Sequence, residues 1–177
     1  MIFTETKLKG AFVIDPEPIR DDRGFFARAW CKREFAEHGL YADFVQANIS
    51  FNEKQGTLRG MHYQSEPHSE AKLVRCTKGS VYDVIIDLRE RSDTYKQWFA
   101  INLSAENYRL LYIPEGFAHG FQTLSNASEM FYLHSDYYAP HAGAGVRWDD
   151  PAFAISWPEV SDRIISERDR NYPDHVG

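Results

Sequence analysis

The chain has 177 residues, 43% of them hydrophobic and 26% charged; this excludes a disordered tail, a collagen-like rod and a low-complexity array, and fits one globular domain over 1–177. Twenty basic against 26 acidic residues give a net charge of −6, the wrong sign for a chain that grips nucleic acid by its phosphates. Two cysteines, Cys31 and Cys76, make neither a disulfide framework nor a CxxC zinc ribbon, no apolar run nears the ~18 residues of a membrane span, and MIFTETKLKG lacks a basic-then-apolar leader. The expectation is a reduced, cytoplasmic protein with no membrane or nucleic-acid partner.

Aromatic residues reach 15%, which favours strands and pockets for flat ligands. In chain order, residues 32–38 read as a short helix closed by Gly39. Short runs rich in β-branched and aromatic residues follow at 72–76, 81–88, 98–103, 109–113, 121–124, 129–135 and 152–157, separated by turn signals such as Lys78-Gly79, Pro114-Glu115-Gly116 and Ser125-Asn126. A second short helix is expected near 161–169. Many short strands with no long helix between them predict an all-β antiparallel sandwich or jelly roll with a few short helices. The chain has no GxGxxG, Walker or Gly-x-Ser-x-Gly motif, so the usual nucleotide cradles and the hydrolase elbow are absent.

The densest chemistry lies in Thr57-Leu58-Arg59-Gly60-Met61-His62-Tyr63-Gln64. In a plain strand Arg59 and His62 point to opposite faces. Glycine inside a strand often marks a bulge, and a bulge at Gly60 brings Arg59 and His62 to one side. On spacing alone, His62 as a hydrogen-bonded interior histidine and Arg59 as a surface charge is an equal alternative. His119, flanked by Pro114, Gly116 and Gly120, reads as part of a loop entering a strand at a pocket mouth. A metal site needs clustered ligands; Gln64 stands two residues after His62, where a second histidine would be, and no metal is expected. Alternation sets Met130, Tyr132 and His134 on one face, where Tyr132 is equally a packed aromatic. Ser166-Glu167-Arg168-Asp169 is equally a solvated helix end.

Taken in order, Asp22-Arg23-Gly24-Phe25-Phe26, the 57–64 stretch, KLVRCTKGSVYDVIIDLR from Lys72, Leu103-SAEN, Ile113-PEGFAHGF and Trp148-DDPAFAISWP resemble the dTDP-4-dehydrorhamnose 3,5-epimerase family over most of the chain, from about Arg23 to Asp169. The resemblance implies a cupin jelly roll, a homodimer whose N-terminal strands cross to the partner, and no cofactor. It implies a nucleotide-diphosphate 4-keto-6-deoxy sugar as substrate, in deoxysugar biosynthesis, epimerised at carbon 3, carbon 5 or both through an enolate. His62 matches the base, whose type has an ordinary pKa of about 6.5. Asp169 matches the carboxylate that orients it, Lys72 the cation near the enolate oxygen, and Tyr132 the acid on the far face. Arg23 and Arg59 match diphosphate contacts; Phe26, Gln46, Asn48, His119, Tyr138 and Arg168 match other substrate-lining positions. Arg28, Ala47, Leu133 and Gly143 depart from the family pattern where nucleotide or sugar is recognised. Two alternatives are a cupin that isomerises 3,4-keto sugars and a non-catalytic sugar-binding cupin.

Overall fold

The computed structural model describes residues 1–175. Its strands are β1 (Ile2–Glu5), β2 (Phe12–Asp15), β3 (Ile19–Asp21), β4 (Gly24–Phe26), β5 (Gln46–Asn52), β6 (Thr57–Gln64), β7 (Lys72–Lys78), β8 (Ser80–Asp87), β9 (Trp98–Ser104), β10 (Leu110–Ile113), β11 (Phe117–Thr123), β12 (Ser128–His134), β13 (Gly143–Gly145) and β14 (Ile164–Ile165), with helices α1 (Lys32–Glu37) and α2 (Glu167–Arg170). One sheet runs β1-β2-β10-β7-β12-β5 and the other β13-β6-β11-β8-β9. All pairings are antiparallel except β14 on β6. The hairpin β3–β4 forms a two-stranded sheet of its own. This is an antiparallel β-sandwich, as the strand pattern predicts, of the kind the resemblance implies.

The period-two alternation of strands decides what each face holds. Val74, Cys76, Leu111 and Met130 from the first sheet meet Val81, Ile85, Leu103, Phe117 and Phe121 from the second in the core between them. Leu73, Leu110 and Tyr112 face outward beneath α1 and pack on Phe35. Met61, Val84, Ile86 and Ala118 cover the outer face of the second sheet with Val146 and Phe153. Polar residues interrupt the inward rows at related places: Lys72 precedes Val74 and Cys76, Asp83 stands between Val81 and Ile85, His119 between Phe117 and Phe121, and Tyr132 follows Met130. The interior therefore changes from apolar to polar along its length.

Three expectations are corrected. Residues 152–157 form turns and irregular backbone, because Phe153, Ile155 and Trp157 bury their side chains on the outer face of the second sheet without joining its ladder. Residues 161–169 contain only the beginning of a one-turn helix; Ile164 and Ile165 instead add a short parallel strand to β6, beside Thr57 and Leu58, and Ser166 Oγ caps α2 by accepting from Asp169 N at 3.1 Å. Residues 117–120 are strand rather than loop, since β11 lies between β6 and β8 and is buried along its whole length.

Candidate active site

Between β6 and β11 the register shifts: His62 faces His119, and Arg59 faces Phe121. Three steps on β6 thus oppose two on β11, which is the bulge expected at Gly60. Two glycines allow it. Gly60 has φ +134°, and a Cβ there would lie 2.5 Å from the Cα of Gly120. A Cβ on Gly120 would lie 2.6 Å from Met61 Sδ. The extra residue turns Met61 to the outer face and leaves both Arg59 and His62 lining one cavity of about 680 Å³. Arg59 Nε donates to Asn52 Oδ1 at 2.7 Å, which aims its guanidinium.

His62 Nε2 lies 2.7 Å from Asp169 Oδ1, while Gly60 N donates to Asp169 Oδ2 at 3.2 Å. Asp169 is buried on α2, so burial pushes its carboxyl up, but the hydrogen bonds from His62, Gly60 and Ser166 hold it below the usual carboxylate range. A carboxylate only accepts, so His62 Nε2 carries the proton and Nδ1 is left as the basic nitrogen of the neutral ring. Tyr172 sets its ring edge-on against His62, with centroids 6.0 Å apart.

The first sheet supplies the opposite wall. Tyr132 on β12 meets His119 edge-on at 5.9 Å across the sandwich; burial pushes its hydroxyl well above the ordinary phenol value, and Asp83 adds to this. His119 Nε2 lies 3.0 and 2.9 Å from the two oxygens of buried Asp83. Burial pushes Asp83 up, against the pull of His119. Lys72 Nζ donates to His62 O at 3.3 Å and pairs with Glu70 Oε1 at 3.2 Å. A basic imidazole, a protonated phenol and an ammonium thus share one cavity, a set that can remove a proton, hold an oxyanion and return a proton.

Of the residues singled out in the sequence, Asn48, Arg59, His62, Lys72, His119, Tyr132, Arg168 and Asp169 line this cavity. Tyr138 lines an adjoining recess with Lys72 and Arg168, and Gln46 Oε1 accepts from its backbone N at 3.1 Å. Arg23 and Phe26 stand apart on the β3–β4 hairpin: the Arg23 side chain is 90% exposed and pairs with Asp21, and Phe26 is 76% exposed. Arg28 pairs with Glu34 of α1, Leu133 packs outward, and Gly143 lines the recess. Sequence reasoning missed Glu70, Asp83 and His134 as parts of the site. Asp83 is an acid inside an apolar strand, which demands a buried partner; Glu70 lies two residues from Lys72, in register with its face. Among the described residues, no group of three His, Cys, Asp or Glu is placed to hold a metal ion, and no helix is long and apolar enough to cross a membrane.

Comparison with known proteins agrees with this architecture. The family model described as dTDP-4-dehydrorhamnose 3,5-epimerase matches residues 5–175. The enzyme of that name from Methanothermobacter thermautotrophicus is 46% identical over 172 residues, 96% of this chain and 92% of the relative. The crystal structure of the Elizabethkingia anophelis protein of that name superposes with a TM-score of 0.95 at 40% identity, covering 98% of this chain and 96% of the other. The Bacillus anthracis structure, solved with TDP and PPi bound, gives 0.94 at 41% identity, covering 98% and 99%. With its sequence matched almost end to end and its sandwich superposed at this level, the chain belongs to the dTDP-4-dehydrorhamnose 3,5-epimerase family.

Proposed function

We propose that the chain epimerises a nucleotide-diphosphate-linked 4-keto-6-deoxy sugar at carbon 3, carbon 5 or both, as a step in deoxysugar biosynthesis. The observation that carries this reading is the delivery of a His62–Asp169 pair and of Tyr132 from facing sheets into one cavity. The ketone acidifies the hydrogens on its two neighbouring carbons. His62 Nδ1 takes one of them, and Asp169 stabilises the imidazolium that forms. Negative charge develops on the carbonyl oxygen, where the Lys72 ammonium meets it. Tyr132 then gives its proton to the carbon from the other face, and exchange with solvent restores both groups. Arg59 and Arg168 face the diphosphate, with Asn48, His119, Gln46 and Tyr138 lining the remainder.

A homodimer belongs to this reading. Ile19 (74%) and Phe26 (76%) are exposed on a hairpin that, among the described residues, pairs with no other strand, and β5 is a sheet edge carrying exposed Ile49 and Phe51. Exposed apolar side chains and a long open edge favour a covering partner. A second copy would place Arg23 and Phe26 at its neighbour's cavity. A cytoplasmic location is likewise part of the reading, supported by the unpaired thiols of Cys31 and Cys76.

The test is proton exchange. Incubated with dTDP-4-keto-6-deoxyglucose in deuterated water, the protein is expected to place deuterium at carbon 3, carbon 5 or both with inversion, read by NMR. A protein that binds this sugar without exchanging any hydrogen, or one whose product carries the carbonyl at carbon 3, overturns the reading.

A further inference from the structure

Lys72 is only 6% exposed, and an ammonium so placed is costly unless a counter-charge touches it. The charged and titratable groups that face it are Arg59, His62 and Tyr63 from β6, Asp83 from β8, His119 from β11, Tyr132 and His134 from β12, Tyr138 from the segment after β12, Arg168 and Asp169 from the α2 turn, and Glu70 just before β7. Two of the three carboxylates are occupied. Asp83 holds His119 with both oxygens, and Asp169 holds His62 and Gly60 N. Glu70 is the third, its side chain 8% exposed. Its Oε1 lies 3.2 Å from Lys72 Nζ and its Oε2 2.9 Å from His134 Nδ1. The other ring nitrogen of His134 lies 3.2 Å from Asn48 Nδ2. The proposed reaction gives neither Glu70 nor His134 a part.

Resting on the proposed function, in which Lys72 is the cation at the enolate oxygen, we propose that Glu70 is a positioning residue that fixes Lys72 as an ammonium on the cavity floor, and that His134 locks the Glu70 carboxylate in the orientation that reaches Nζ. One oxygen serves each partner, so the carboxylate cannot rotate without breaking both contacts. The charge balance runs the same way: burial pushes the Glu70 carboxyl up, yet the His134 hydrogen bond and the Lys72 charge hold it below the usual range. The row Asn48–His134–Glu70–Lys72 then links the edge strand β5 to the reacting centre through β12.

Glu70→Gln keeps the size and an acceptor for Lys72 but removes the charge. Spectra of the full chain carrying 13C-lysine, with the Lys72 resonance assigned by its absence in Lys72→Met, read protonation without any substrate. The Lys72 signal is expected to titrate ~1 unit or more lower in Glu70→Gln than in the unsubstituted chain. The alkaline limb of kcat moves down with it, KM changes less than kcat, and Glu70→Asp recovers part of both shifts. An unshifted Lys72 titration in a folded Glu70→Gln overturns the proposal, whatever happens to the rate. A shifted titration with an unmoved kcat profile upholds the hold of Glu70 on Lys72 and overturns the role of Lys72 in the reaction. Should Glu70→Gln not fold, His134→Gln is read the same way: a smaller downward shift supports the lock, and no shift overturns it.

Discussion

The cavity between the sheets and the β3–β4 hairpin both carry residues that the family resemblance assigns to one site, yet they are built on opposite principles. In the cavity wall, Asp83, Asp169, His119 and Lys72 are buried and each has a hydrogen-bond or ion-pair partner. On the hairpin, Arg23 pairs with its neighbour Asp21, and Ile19 and Phe26 lie open. Exposed ion pairs contribute little to stability, so this pair does little to fix Arg23, although Phe25 of the same hairpin meets Tyr108 edge-on at 4.8 Å. The difference teaches that one chain fixes the acids and bases of its cavity by itself, whereas Arg23 and Phe26 stand open on the hairpin.

The sharpest way to break this comparison is at His62, the half-exposed member of its pair. His62→Ala should lower deuterium exchange into the sugar by ~10²–10⁴-fold while the chain still folds, at some cost in thermal stability because buried Asp169 loses a hydrogen-bond partner; exchange at the parental rate would remove His62 as the base. Tyr132→Phe divides the cavity's two tasks. The variant keeps the ring and the hydrogen-bonded base opposite, so exchange through His62 should persist while net inversion, followed by NMR of the product, falls ~10-fold or more. Equal losses of both would end the division of labour.

Asp87, at the end of β8, tests whether the sandwich owes stability to its satisfied carboxylates. Its oxygens accept from Arg89, Ser92 and Thr94. Although burial pushes the carboxyl up, these bonds take it down to about 2. A depressed folded value means the stabilisation is present above the ordinary carboxylate range, ~4, and is lost as pH falls towards about 2. Asp87→Asn should therefore cost about 2 kcal/mol at pH 7, measured by urea unfolding, and the gap between variant and parent should close in acid.

The last experiment sharpens the hairpin side. Arg23→Ala and His62→Ala chains, each deficient alone, are unfolded together and refolded as a mixture. If Arg23 serves the partner's cavity, mixed dimers contain one site with both residues intact, and about a quarter of parental activity returns. No recovery, or a monomer by sedimentation at micromolar concentration, would place Arg23 outside the neighbour's site.

Much of this protein is legible in its residues one after another. The strands at 72–78, 80–87, 98–104 and 128–134 follow from β-branched and aromatic runs between turn markers, because strand pairing buries such side chains locally. The 32–37 helix follows from Gly39 closing a short periodic run. Gly60 pointed to a bulge as one of two readings, since a glycine inside a strand often marks a bulge or a close approach, and the register shift to β11 is that bulge. The apolar alternation at 152–157 misled, because alternation records which side chains are buried and not whether the backbone pairs; Phe153 and Trp157 bury themselves from a loop. What the chain order could not decide is partnership. Asp169 reaches His62 across 107 positions, and Glu70 reaches His134 across 64. Each of those carboxylates looks like a solvated surface charge until the fold removes water from it, and only the closing of two sheets over the cavity determines which cation it must meet.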